Sequence, residues 1–245
     1  MAAISGKQRP ASRKKSKTSL RVTRDLKARA IEVLDRLDGH YPQATTELDF
    51  TNNFELLVAV ILSAQCTDKR INMVTPGLFG AYPNASSMAQ AEPEDIESWI
   101  RTCGLYRNKA KNLVACARQL VAEHKGSVPG ERKALEALAG VGRKTANVVL
   151  SNAFGVDAIA VDTHVHRLSH RLGFSKANSP NGVEVDLMAI LPKNRWTKSH
   201  HTLIWHGRRC CDARKPACPR CPVADLCPGE QTYPEDIAAA LLEDS

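Results

Sequence analysis

Aromatic residues make up only 5% of the 245-residue chain, and no apolar run approaches the roughly 20 residues that span a bilayer. An integral membrane protein is therefore excluded. The start, Met1 to Leu20, has no apolar h-region, which argues against a secretory leader. Without an oxidising compartment, eight cysteines are not expected to form a disulfide framework. Alternating strand patterns are almost absent: Ala158-Ile159-Ala160-Val161 is the one short candidate. No convincing internal repeat is present. Acid is missing from one place in particular, since residues 1–24 hold eight Lys and Arg but no Asp or Glu. The remaining 26 basic and 26 acidic residues balance, so the net charge of +8 belongs to an arm and not to the body. Bulk charge alone does not establish a nucleic-acid partner. The arm, residues 1–21, reads either as a solvated tail or as a non-specific DNA tether.

What is present is a globular composition, 43% apolar and 24% charged, with helical periodicity. Ala28, Ile31, Val33, Leu34 and Leu37 share one face of a helix stopped by Gly39 and Pro42. The run from Phe54 to Leu62 is apolar almost all round and reads as a buried central helix. A helix capped by Thr67 or Asp68 is expected to stop at Pro76-Gly77. Further helices are expected over 94–102, 109–124, 132–138, 145–154, 162–172, 183–191 and 197–206. The fold class is all-α, with about ten helices and short connections.

Three motifs carry chemistry. The first is Leu138-Ala139-Gly140-Val141-Gly142-Arg143-Lys144-Thr145, between two helical stretches. Its glycines permit a tight hairpin, and N–H groups at the start of the following helix suit a phosphate. A P-loop would need glycine immediately before lysine and a preceding strand; Arg143 holds that position. The positive helix end disfavours an ammonium, and a desolvated lysine there can form a Schiff base. The bland alternatives are a packing joint and a phosphate-contacting lysine. The second motif, Val161-Asp162-Thr163-His164, puts a carboxylate at a helix start, where it serves at least as an N-cap. His164, His166 and His170 do not share one helical face, so they are not read as a metal site. The third motif is Cys211-x6-Cys218-x2-Cys221-x5-Cys227, four thiols within 17 residues. Zinc and an iron–sulfur cluster both suit such a loop, and Cys210 falls outside its spacing. Between the first two ligands, Arg214 and Lys215 form a basic tongue suited to phosphate.

The three motifs in this order resemble the endonuclease III family, over roughly residues 25–228. The resemblance implies two helical domains flanking an active-site cleft. One would be a six-helix barrel with the helix-hairpin-helix, residues 46–158. The other, residues 22–45 with 159–245, would hold a [4Fe-4S] cluster on Cys211, Cys218, Cys221 and Cys227. It further implies a bifunctional DNA glycosylase/AP lyase that removes oxidised pyrimidines from damaged double-stranded DNA and cuts on the 3′ side by β-elimination. Lys144 would be the nucleophile and Asp162 its partner carboxylate. The hairpin, Gly140, Val141, Gly142 and Arg143, would grip the DNA backbone, as would Arg214 and Lys215. Gln65 would fill the gap left by the flipped base, Leu105 would wedge the stack, and Asp68 and His164 would line the base pocket. A cytoplasmic, nucleoid-associated monomer without a membrane partner is expected. Ala139 departs from the family's usual proline, and Cys66 from its frequent alanine. A pyrimidine-dimer glycosylase/lyase on the same scaffold and a non-catalytic iron–sulfur DNA-binding module are the competing readings.

Overall fold

A computed structural model describes residues 20–228; the basic arm and most of the acidic end lie outside them. Among the described residues there are eleven α-helices and no strand, and 158–161 only links two helices. The helices are α1 (Arg24–His40), α2 (Asn53–Leu62), α3 (Asp68–Ala81), α4 (Ala85–Ala89), α5 (Pro93–Ile100) and α6 (Tyr106–His124). They continue as α7 (Arg132–Glu136), α8 (Arg143–Ala153), α9 (Thr163–Arg171), α10 (Pro180–Ile190) and α11 (Trp196–Arg209). None is long and apolar enough to cross a membrane.

Two hydrophobic cores organise them. In the first, α2 is the central rod, with Leu56 to Leu62 at most 4% exposed. It packs on α3, α6 and α8, while α4 and α5 close against α6. An all-apolar helix is stable in this position because every face meets another element. The second core joins α1 to α9, α10 and α11 around Leu34, Leu37, Phe174 and Leu203. α1 therefore folds with α9, α10 and α11, and residues 48–150 supply the first core between them. Both crossings are tied down. Lys198 donates to the Pro42 and Ala44 carbonyls and the Trp205 indole to that of Thr45, anchoring the outward crossing on α11. The Asn147 amide donates to the Ile159 carbonyl at 2.7 Å, anchoring the return.

Local signals explain most helix starts. Thr23, Asn52, Thr67, Asp162 and Ser179 each accept a hydrogen bond from a backbone N–H in the first turn. One boundary is corrected. α3 does not stop at Pro76-Gly77 but continues to Ala81. Leu78 is buried beyond the proline, and a Cβ on Gly77 would lie 2.8 Å from the Trp99 ring, so tight packing on α5 outweighs the lost N–H bond. The short α4 has no long apolar stripe; a reciprocal capping box between Asn84 and Ser87 forms it.

Candidate active site

The glycine hairpin turns through Gly140, whose φ of +76° favours a residue without a side chain. A Cβ there would also stand 3.0 Å from Asn112. Gly142 is the N-cap of α8; nothing lies within 4 Å of where its Cβ would be, and no side chain caps the helix. The first N–H groups of α8 are thus presented at an open surface, a seat for an anion. Arg143 does not extend freely there. Its guanidinium makes a two-pronged ion pair with the buried Glu184 of α10, at 2.7 and 3.0 Å. That bond locks the hairpin helix to the second core. Glu184 carried no local sequence signal, since its partner stands 41 residues away.

Lys144 occupies the first turn of α8 and is exposed, so the drying that a nucleophilic amine needs must come from a bound substrate. One turn on, the buried Asn147 holds Ile159 on its Nδ2 and receives Arg132 on its Oδ1. The strap it grips leads within three residues to Asp162. That carboxylate is half-buried, and its Oδ1 accepts the Val165 N–H at 2.8 Å. Both candidate catalytic side chains therefore stand at helix starts joined through one buried asparagine.

His164 is turned onto α11. Its Nδ1 lies 3.2 Å from Arg167 Nη2, and a Cβ on Gly207 would approach that nitrogen to 2.9 Å. Burial pushes the imidazole below its ordinary pKa, opposed by Asp162. His166 and His170 face the carbonyls of Asn178 and Ala177, away from His164. Asp68 accepts a 2.8 Å bond from Arg208 of α11, and the same guanidinium holds Glu47. Arg208 and Glu47 were missed by the sequence reading; partners 140 and 161 residues apart leave no pattern in it.

Gln65 and Leu105 both have left-handed backbones, with φ of 50° and 55°. Leu105 is 54% exposed, a large apolar side chain held out by a strained loop. The loops touch: a Cβ at Gly104 would be 2.9 Å from the Gln65 carbonyl oxygen.

The cysteine loop is stitched to the second core by arginines. Arg171 donates to Cys211 Sγ at 3.3 Å and to the Asp212 and Ala213 carbonyls, and Arg167 to the Gly207 and Cys211 carbonyls. Arg29 spans Leu172 and Leu226. Asp212 folds the tongue by accepting the Arg214 and Lys215 N–H groups, which leaves both basic side chains exposed. Four thiolates on one zinc ion would lie about 3.8 Å apart, given the usual 2.3 Å bonds. Among the described residues, the group of three or more donors whose ligand atoms lie within 4.8 Å of one another is His206, Cys210 and Cys221. Cys211, Cys218, Cys221 and Cys227 are thus spread more widely than one ion requires, which fits a larger multinuclear cluster.

Comparison with known proteins decides the family. Residues 58–193 match the HhH-GPD superfamily of base excision DNA repair proteins, and residues 211–227 match the iron-sulfur binding domain of endonuclease III. The chain is 49% identical to endonuclease III of Synechocystis sp. over 86% of its length and 97% of that protein. The chain belongs to the endonuclease III family. Endonuclease III of Escherichia coli K12 is 46% identical over 82% of this chain and 95% of its own. A solved endonuclease III, trapped as a covalent intermediate with DNA, superposes with a TM-score of 0.80 at 48% identity, covering 82% of this chain and 95% of that one. The protein is accordingly a base excision repair DNA glycosylase and AP lyase, all-helical, with a [4Fe-4S] cluster as cofactor. The iron-sulfur match begins at Cys211, so Cys210 stays outside it.

Proposed function

We propose that the protein excises oxidised pyrimidines from duplex DNA and cuts the strand through a Lys144 Schiff base. The observation that carries this reading is the uncapped start of α8, which presents Lys144 beside an anion seat and is tied through Asn147 to the strap before Asp162. The backbone N–H groups of Gly140, Gly142 and Arg143 take a DNA phosphate, while that of Val141 closes the turn on the Leu138 carbonyl and leaves Val141 to contact the DNA backbone by its position in the hairpin. The Arg143 side chain stays with Glu184, so its contribution to DNA is through the main chain. Arg214 and Lys215 take a second stretch of backbone. Gln65 and Leu105 enter the stack as the damaged nucleotide leaves it, and Asp68 and His164 line the pocket that receives the base. The two cores form the two walls of that cleft, the domain 46–158 on one side and, on the other, the domain 22–45 with 159–245, of which residues 229–245 lie outside the described residues. Cys211, Cys218, Cys221 and Cys227 hold the cluster, which supplies structural support for the basic tongue. The protein acts as a monomer at the nucleoid.

The chemistry follows from the two helix starts. The Lys144 nitrogen attacks C1′ of the deoxyribose as the bond to the base breaks. Asp162 accepts the proton released and stabilises positive charge developing on the sugar. Ring opening gives an iminium, which acidifies C2′; loss of that proton expels the 3′ phosphate. Borohydride reduces the iminium and leaves protein bonded to DNA. With thymine glycol duplex, the wild type should trap covalently, and Lys144→Ala should lose trapping and cleavage by roughly 10³-fold or more. Strand cleavage persisting in Lys144→Ala would sink the mechanism. Leu105→Ala should weaken capture of the same duplex without altering the fold.

A further inference from the structure

The two loops proposed to enter DNA each carry a cysteine beside the inserted residue. Cys66 follows Gln65, and Cys103 precedes Gly104 and Leu105. The backbones meet where Gly104 faces the Gln65 carbonyl, a contact closed to any side chain. Next to it, the Cys66 and Cys103 thiols lie within reach of a side-chain hydrogen bond. Cys103 is 2% exposed, whereas Cys66 is half-buried and accessible to a small solute. The buried Lys109 donates to the Ala64 carbonyl, and its ammonium, with Arg70, places positive charge at the pair. Burial holds the Cys103 thiol up at about 11 and out of contact with solvent, so Cys66 is the sulfur that a small solute meets first. Neither cysteine belongs to the cluster loop, and neither has a part in the excision chemistry.

We propose that Cys66 and Cys103 form an oxidant-responsive modification site, closing to a disulfide that ties the Gln65 loop to the Leu105 loop. The oxidant is a hydroperoxide. The Cys66 thiolate attacks one peroxide oxygen, the O–O bond breaks, and the departing hydroxide leaves as water after taking a proton. Cys66 is then a sulfenic acid. The Cys103 sulfur attacks the Cys66 sulfur, the S–O bond breaks, and hydroxide leaves as a second water with the Cys103 proton. Two thiols and one hydrogen peroxide give one disulfide and two waters; each sulfur loses one electron. A thiol reductant reverses the bond. An S–S bond of about 2.0 Å is much shorter than a hydrogen-bonded thiol pair, so closure draws the loops together. Gln65 and Leu105 already have left-handed backbones, and the displacement passes to their side chains. The effect on DNA rests on the loop-insertion reading above; the disulfide itself does not.

The test uses the full chain with its cluster, treated with one equivalent of hydrogen peroxide, alkylated and digested without reductant. Mass spectrometry should find the peptide containing Cys66 joined to that containing Cys103, absent from Cys66→Ala and Cys103→Ser. Affinity for the thymine glycol duplex should fall about tenfold, equivalent to about 1.4 kcal/mol, and return with dithiothreitol. Cys66→Ala should bind as well as reduced wild type and ignore peroxide, with the visible absorption of the cluster unchanged throughout. No linked peptide, or an equal loss of binding in Cys66→Ala, overturns the proposal. So does a linked peptide with unaltered binding where Leu105→Ala does weaken it. A linked peptide with Leu105→Ala silent supports the modification site and overturns the insertion reading instead.

Discussion

The two cores are built from different materials. Around α2 the interior is almost wholly aliphatic, with Thr75, Lys109, Asn147 and Ser151 its buried polar residues. Around α9 and α11 the interior contains His166, Arg167, Ser169, Glu184, Ser199, His200, His201, Thr202 and His206. The first half holds itself together by apolar burial and is free to hang strained loops at its edge. The second half is a thinner core that depends on arginine-to-carbonyl bonds, neutral buried imidazoles and the cysteine loop. The chemistry proposed for Lys144 and Asp162 falls at the border, where α8 of one half is clamped to α10 of the other by Arg143 and Glu184.

That contrast can be broken most forcefully at the cluster. Cys221→Ser should strip iron from the protein and remove amide-exchange protection from α9 and α11 while α2 stays protected; uniform loss would mean the halves fold as one unit. The counterpart in the first half is Leu57→Ala. Leu57 is fully buried in α2, and removing its side chain should cost about 2–5 kcal/mol, read as a lower denaturant midpoint.

Acid should sharpen the contrast. Burial holds His166 and His200 down at about 4 and His201 at about 3, whereas the unfolded chain takes protons near 6.5. The unfolded state therefore binds more protons as pH falls through the window from about 6.5 to 4. Stability is complete above that window and is lost within it, by up to about 1.4 kcal/mol per histidine per pH unit. Exchange measured at pH 7 and pH 5 should show α9 and α11 opening before α2. A pH-independent pattern over that range would contradict the role given to these imidazoles.

The smallest change in stability is expected from Asp162→Asn. Asparagine caps a helix as well as aspartate, so thermal unfolding should shift little, within about 0.5 kcal/mol. The loss of a charged proton acceptor should still lower base excision by about 10²–10⁴-fold. If excision survives, Asp162 is only the cap of α9.

Much of this was legible along the chain because the signals are local. The stripe of α1, the all-apolar α2, the caps at Thr67 and Asp162, and the two-glycine turn each act within a few residues. α3 shows where locality fails: Pro76-Gly77 reads as a stop, yet the helix continues because Trp99 packs on the glycine. The left-handed backbones of Gln65 and Leu105 were equally hidden, since neither residue type asks for that conformation. The candidate pocket was similar. Asp68 was visible at a helix start, but Arg208, which holds it, was not.

By itself, then, the sequence determined where most of the helical segments lie, where the two-glycine hairpin falls, and that four thiols are spaced to wrap one metal centre. Period, capping and short-range chelation are properties of neighbours in the chain. Only the tertiary structure decided that Lys198 of α11 holds the Pro42 and Ala44 carbonyls, that Glu184 claims the Arg143 side chain, and that Cys66 meets Cys103. Those pairings join residues from 37 to over 150 apart, and what selects them is the close packing and charge pairing of the finished fold, which no local pattern records.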